Sequence, residues 1–322
     1  MEDVARTAPA SHPRVEARDL GDDITLLDTQ MGGYAGITAA YLIRSERPAL
    51  VETGAALSAP LVIEHLARLG VGADDLATIV VTHIHLDHAG GVGDLARAFP
   101  RAEVVVHERG ARHLVSPERL VASARRVYGE VMDRVFGDLL ATPVERVRAL
   151  GDTGEVDLGG GRRLTSTYSP GHASHHVGLL DSQTGDLYVG DAAGIYVPEA
   201  DVVKPATPPP DFDLTLALAS LRRFRALAPS RLLFSHFGPV SAVETTLERS
   251  AEELELWVEL TRGTRAQGLD LDHAVAAVRD QTRARYAAAT ADPALAEKYA
   301  ALNSDEANLA GILRWLDQVE PG

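Results

Sequence analysis

An α/β fold is predicted by three features of the chain. From Ile24 to Ala111 short apolar runs alternate with helical stretches, the pattern of strands and helices in turn. Of the 322 residues, 45% are apolar and 24% charged, which suits a globular protein with a sizeable core, built as one large domain or two small ones. Ligand-type side chains also recur just past apolar runs, at strand ends, where α/β architectures place their sites.

Ile24 to Leu27, Thr38 to Ile43 and Ala49 to Glu52 read as strands. A helix follows, with Ser58 as N-cap, Pro60 in the first turn, Leu61, Leu66 and Leu69 on its apolar side and Gly70 past its end. The strand Ala77 to Thr82, a helix from about Gly91 to Phe99 and the strand Glu103 to His107 continue the alternation. A helical passage from about Arg109 to Leu140 interrupts it, with Leu120, Ala124, Val127, Val131 and Val135 at helical spacing. Strands resume at Arg163 to Tyr168 and in a hairpin from Val177 to Val189, turned by residues 181–185. The stiff run Pro205 to Pro210 leads to a helix near Leu214 to Leu227 and a strand at Arg231 to Ser235. Beyond Val240 the chain reads as helical, with Leu247, Ala251, Leu254 and Val258 on one face.

The division expected is a flexible N-terminus at 1–14, a catalytic domain at 15–240 with the helical insertion at about 109–140, and a helical extension at 241–322 packed on the same domain. The net charge of −15 opposes phosphate backbones, so nucleic acid is not an expected partner. Lys204 and Lys298 are the only lysines, so no polybasic run seeks anionic lipid. No apolar run approaches the ~18 residues of a membrane helix and the first 14 residues lack a signal-peptide core, so the expectation is a cytoplasmic protein without a membrane partner. There is no cysteine, so any metal must be held by His, Asp or Glu.

Those residues concentrate at Thr82-His83-Ile84-His85-Leu86-Asp87-His88, where an apolar strand runs into a loop. His83 and His85 alternate to one side, and the turn brings Asp87 and His88 to a neighbouring position, an arrangement able to serve two adjacent metal ions. Gly171-His172, Gly190-Asp191 and Ser235-His236 each place a further ligand-type residue past an apolar run.

This order, HxHxDH followed by His, Asp and His, resembles the metallo-β-lactamase-fold hydrolase superfamily over about Ile24 to Val240, in its glyoxalase II-like and lactonase-like branch. The resemblance implies an αββα sandwich with two metals at one edge. It implies that His83, His85 and His172 bind the first, that Asp87, His88 and His236 bind the second, and that Asp191 bridges them. Imidazoles and carboxylates suit two divalent ions, zinc foremost, with iron or manganese also compatible. Where many members carry Asp-Thr-Gly this chain has Glu52-Thr53-Gly54, and Glu52 is expected to orient a ligand or loop. His176 matches a second histidine common in the family and is expected to support the site without binding metal.

Around the metals, the glycine-rich segment Met31 to Gly36 is expected to act as a flap carrying Tyr34 to the substrate pocket. Tyr196, five residues past Asp191, is expected to donate to a developing oxyanion. The passage from Arg109 to Leu140 is a candidate cover for an apolar pocket, an ordinary peripheral pair, or a homodimer contact.

The function expected is a dinuclear metal-dependent hydrolase acting on a small molecule, in which a metal-bound hydroxide cleaves a carboxylic ester, lactone or thioester and Asp87 assists proton transfer. A glyoxalase II-like thioesterase is less favoured than an ester or lactone hydrolase, because residues 241–322 hold 8 basic and 15 acidic residues where that subgroup uses basic ones. The alternatives are a mononuclear iron dioxygenase of the persulfide-oxidising type, on His83, His172 and Asp191, and a phosphodiesterase on the same fold.

Overall fold

The computed structural model describes residues 17–320, so the expected flexible segment 1–14 lies outside the described residues. A first sheet runs in spatial order through β1 (Arg18–Gly21), β2 (Ile24–Asp28), β3 (Ala39–Ile43), β4 (Ala49–Val51), β5 (Thr78–Val80), β6 (Glu103–His107) and β7 (Val147–Leu150). Its first four strands pair antiparallel and β4 to β7 pair parallel. The crossovers carry α1 (Ala59–Arg68), α2 (Leu86–Ala89), α3 (Val92–Ala98), α4 (Glu108–Val115) and α5 (Glu118–Tyr128).

The second sheet uses β8 (Thr153–Asp157), β9 (Arg163–Tyr168), β10 (Val177–Asp181) and β11 (Asp186–Gly190). A separate hairpin of β12 (Ile195–Val197) and β13 (Val202–Lys204) follows, then α6 (Leu214–Ala226), and β14 (Arg231–Phe234) and β15 (Gly238–Val240) complete the sheet in the order β15-β14-β11-β10-β9-β8. The chain ends in α7 (Val243–Ala266), α8 (Leu271–Thr282), α9 (Ala287–Thr290), α10 (Pro293–Leu302) and α11 (Asp305–Val319).

Side-chain alternation explains why these sheets stack. In β3, Ala39, Tyr41 and Ile43 face a cluster shared with Leu179, Tyr188 and Leu233 of the other sheet, whereas Ala40 and Leu42 face the cluster containing Val62 and Leu66 of α1. In β11, Tyr188 points to the first of these while Leu187 and Val189 point to Phe224 of α6 and Trp257 of α7. Both faces of each central strand are therefore buried, with period two, and helices cover each outer face. The result is the αββα sandwich. Among the described residues, no helix is long and apolar enough to cross a membrane.

Several elements depart from expectation for local reasons. Ser58 sits at the start of α1 but is already helical, because the turn Ala56–Ser58 runs straight into the helix, and its side chain makes no cap bond. The core face of α1 is Ala59, Val62 and Leu66, not the line through Leu61 and Leu69. The long helical passage is two helices separated at Ser116-Pro117, then a π-helical turn at Met132–Phe136, and Val127 is 71% exposed. β7 and β8 give no apolar run because both are polar, half-exposed strands at sheet margins.

Candidate metal centre

Every strand that ends at one edge of the sandwich delivers a polar side chain there. Glu52 follows β4, His83 follows β5, His172 lies in the loop after β9, Asp191 follows β11 and His236 follows β14. The short helix α2 starts at His85, whose extended backbone turns the chain, and carries Asp87 and His88. Gly190 is required at its place: its φ is +50°, and a Cβ there would lie 2.4 Å from His176 Nε2 and 2.6 Å from the Thr82 hydroxyl.

The protonation of the histidines follows from what their outer nitrogens touch. His172 Nδ1 lies 2.9 Å from the Ala206 carbonyl and His236 Nδ1 lies 2.6 Å from the Ile37 carbonyl. A carbonyl oxygen only accepts, so each Nδ1 carries the proton and each Nε2 presents a lone pair inward. Thr82 donates its hydroxyl to Glu52 Oε1 at 2.5 Å and accepts from His83 Nδ1 at 3.1 Å, leaving His83 Nε2 as a lone pair. His88 Nδ1 faces Glu52 Oε1 at 3.5 Å, which again frees Nε2.

These inward atoms converge. His172 Nε2 is 2.9 Å from His85 Nδ1, and His236 Nε2 is 3.1 Å from His88 Nε2. Asp191 reaches both pairs, with Oδ2 at 3.6 Å from His172 Nε2 and Oδ1 at 3.3 Å from His88 Nε2 and 3.5 Å from His236 Nε2. Asp87 Oδ2 adds contacts of 3.4 Å to His236 and 3.7 Å to His88. The donor atoms group as His83, His85 and His172, as His83, His88 and Asp191, and as Asp87, His88 and His236, each within 4.8 Å. Buried acceptors facing one another at these distances need a cation between them, and His83 Nε2 and Asp191 Oδ1 are buried without a hydrogen bond. Nitrogen and carboxylate donors without sulfur fit a divalent transition metal.

The electrostatics divide the site. Burial, reinforced by neighbouring imidazoles, holds His83 well below the usual histidine range and His85 at about 4. His88 and His236 lie above that range: burial opposes their charge, but Asp191 and Asp87 outweigh it, with Glu52 adding to His88, so this side draws a cation, either a proton on Nε2 or a metal in its place. Burial likewise works against the charge of Asp87 and Asp191, yet the adjacent imidazoles hold both below the ordinary carboxylate range. Asp191 reaches both halves, and Asp87 adds a second carboxylate on the His88 and His236 side alone, so the half with His83, His85 and His172 is the poorer in charge, a difference that would give two ions unequal surroundings.

A family model described as the metallo-beta-lactamase superfamily matches residues 33–236, a span containing all seven of these side chains. The chain belongs to that superfamily. It is a metal-dependent hydrolase of that family. A metallo-beta-lactamase fold-containing protein of Sulfurisphaera tokodaii is 35% identical over 195 residues, 58% of this chain and 72% of that one. A solved archaeal superfamily structure from Sulfolobus tokodaii superposes with a TM-score of 0.60 at 28% identity, covering 71% of this chain and 85% of that one. An N-acyl homoserine lactonase of Agrobacterium fabrum is 32% identical over 132 residues, 40% of this chain and 45% of the lactonase, so the match spans less than half of that relative.

Within this superfamily site, Glu52 has a left-handed backbone, φ 66°, and its carboxylate accepts from Thr82 and, at 3.2 Å, from the Ser235 hydroxyl. It ties the strand ends before His83 and His236 to each other, its longer side chain spanning the gap between sheets. His176 is also occupied: its Nε2 accepts the Asp191 backbone N–H at 3.1 Å and its Nδ1 pairs with the Ser169 hydroxyl at 2.8 Å. It positions Asp191 and has no free nitrogen to offer a metal.

Two expected residues are not delivered to the metals. The Tyr196 backbone N–H donates to the His236 carbonyl, but its hydroxyl donates to Asp201 Oδ1 at 3.2 Å and its ring packs beside Phe234 on the side of the C-terminal helices. The strand alternation of β12 turns Ile195 and Val197 to the other side, so the Tyr196 hydroxyl, expected to serve an oxyanion, is engaged with Asp201. Tyr34 likewise turns its hydroxyl to Glu297 of α10 at 3.0 Å, which ties the flap to the C-terminal helices and leaves the hydroxyl engaged away from the metals. Thr82 and Ser235, which the sequence reading passed over, act through Glu52, and their signal was present as a hydroxyl residue directly before a strand-end histidine. An open cavity of about 680 Å³ lies beside α4 and the start of β7, lined by Arg112, His113 and Arg119, and contains none of the converging side chains.

Proposed function

We propose that the chain is a dinuclear metallohydrolase that opens a carboxylic ester, lactone or thioester. The observation that carries the reading is the pairing of inward lone pairs, His172 with His85 and His236 with His88, with Asp191 in contact with both pairs. His83, His85 and His172 would hold one ion, Asp87, His88 and His236 the other, and Asp191 would contribute to each. Bound divalent ions, zinc foremost, would supply Lewis acidity toward a carbonyl oxygen and lower the pKa of the water nucleophile.

The remaining work falls to this chain's residues. Asp87 keeps 18% of its side chain exposed against 7% for Asp191, which marks it as the carboxylate that meets substrate and solvent. It would take the proton lost by the attacking water and return it to the leaving oxygen or sulfur. Glu52 holds the Thr82 and Ser235 hydroxyls and faces His88 Nδ1, and His176 fixes the Asp191 backbone.

Acyl substrates are supported by the names of relatives. Beside the lactonase, a hydroxyacylglutathione hydrolase of Synechococcus is 32% identical over 130 residues, with this chain spanning 38% of its length. The dioxygenase alternative uses only His83, His172 and Asp191 and would leave Asp87, His88 and His236 facing one another without an ion. A panel of lactones, thioesters, esters and phosphodiesters, assayed with zinc-loaded and chelator-stripped protein, tests the reading. Turnover of acyl substrates that chelation abolishes is expected. Oxygen consumption with a persulfide, or turnover of phosphodiesters alone, would overturn it.

A further inference from the structure

His175 stands beside the metal-side histidines without belonging to any of the three donor groups. Its ring lies parallel to that of His83, with centroids 6.1 Å apart and planes inclined by 13°, and edge-on to that of His85 at 5.8 Å. Its Nδ1 lies 3.3 Å from the backbone nitrogen of Ile84, the residue between those two ligands. Ile84 is buried, and among the described residues its N–H has no other hydrogen-bond partner. A buried N–H left unpaired is costly, so this path of the loop depends on the imidazole.

The residues on either side of His175 are held in turn. Ser174 donates its backbone N–H to Asp211 Oδ2 at 3.0 Å and its hydroxyl to the same oxygen at 2.5 Å, while its carbonyl accepts the Tyr168 hydroxyl at 2.9 Å. His176 accepts the Asp191 N–H, and the Val177 N–H donates to the Thr82 carbonyl at 2.9 Å. Two consecutive imidazoles therefore take the backbone N–H groups of Asp191 and of Ile84. Gly110 of α4 closes the far side, since a Cβ there would lie 2.8 Å from Ile84 Cγ2 and 3.7 Å from His175 Cβ. An imidazole nitrogen that accepts carries no proton, so the neutral His175 ring has its proton on Nε2. Burial foremost, and then His85, push its pKa down to about 3 against the pull of Asp211, which keeps the ring uncharged at neutral pH.

We propose that His175 is a positioning residue for one metal ion only: through Nδ1 it fixes the peptide between His83 and His85, and so the directions in which these two ligands point. The inference rests on the dinuclear reading, in which His83, His85 and His172 hold that ion. The other ion, on Asp87, His88 and His236, has separate support, because Glu52 faces His88 Nδ1 and holds the Ser235 hydroxyl. Asp211 acts behind His175, by anchoring Ser174.

Long-range proton–nitrogen correlation spectra of chelator-stripped protein, with His175→Asn to assign the ring, should show Nε2 protonated and Nδ1 bare. A proton on Nδ1 would overturn the proposal. Zinc titration against a fluorescent chelator reads the effect on the metal. His175→Ala should weaken one of the two zinc ions about 10- to 100-fold and leave the other within about twofold of wild type. In a His85→Ala background, where the first ion is already lost, it should change nothing further. His175→Asn, whose amide oxygen stands at the Nδ1 position and can still accept from Ile84, should keep most of the wild-type affinity. Unaltered binding in His175→Ala, equal weakening of both ions, or an asparagine variant as weak as the alanine one would overturn the role. Should His175→Ala fail to fold, His175→Gln takes its place, because its amide lies at the Nε2 position, away from the Ile84 N–H. A wild type that binds a single zinc overturns the dinuclear reading, and weakening of that zinc in His175→Ala that His175→Asn restores would still uphold His175. No arm requires turnover, so a failure to find an acyl substrate strikes the assigned reaction and not the role of His175.

Discussion

The Thr82 hydroxyl donates to Glu52 Oε1 at 2.5 Å, across the boundary between two strand ends. The same oxygen accepts from Ser235 and faces His88 Nδ1 at 3.5 Å, so one carboxylate serves the residues beside His83 and His236 and also His88 itself. Glu52→Ala should therefore weaken zinc affinity by about 10- to 100-fold while leaving every proposed ligand in place. Competition with a fluorescent chelator measures this, and an unaltered affinity would reduce Glu52 to a strand-end charge. Glu52→Gln, which keeps an acceptor oxygen for Thr82, should lose less.

His83→Ala and His172→Ala each remove an inward lone pair from the charge-poor half of the site. Metal content of that half should fall, with activity lower by several orders of magnitude. Elemental analysis after gel filtration checks the first effect, and full loading of both variants would refute the ligand assignment.

Tyr196→Phe should leave kcat/KM within about twofold of wild type, since its hydroxyl is bound to Asp201 and makes no contact with the site. A loss of tenfold or more in kcat at unchanged KM would restore a transition-state role to the phenol.

The buried Asp28 carboxylate accepts the backbone N–H groups of Gln30 and Gly36 at the base of the flap. Burial raises it to about 6, above its ordinary 3.8, despite those bonds and the nearby Lys298. A raised folded pKa means that its contribution to stability is complete below about pH 4 and is lost as pH rises through about 6. The melting temperature of Asp28→Asn minus that of wild type should therefore become more positive between pH 5 and pH 7.5. A difference that is flat or falls over that interval would contradict the burial of an ionised carboxylate.

The central strands and the metal-side residues were legible because both follow short-range rules. Strands such as Glu103 to His107 declare themselves by continuous apolar runs, and the HxHxDH motif packs four donors into one turn. The long reach of Glu52 to Ser235 was not legible, since it depends on the stacking of two sheets. The direction of the Tyr196 ring was not legible for a related reason: its five-residue distance from Asp191 in sequence says nothing of the strand alternation that sets it against the C-terminal helices.

The central claim is that the chain holds two metal ions which Asp191 links. It is tested most directly by titrating chelator-stripped protein with zinc and counting bound ions by elemental analysis, in wild type and in Asp191→Ala. Saturation near two ions per chain in wild type and weakened binding of both in the variant are expected. Saturation at one ion per chain in wild type, or loss of a single ion with the other bound at full affinity in Asp191→Ala, would contradict it.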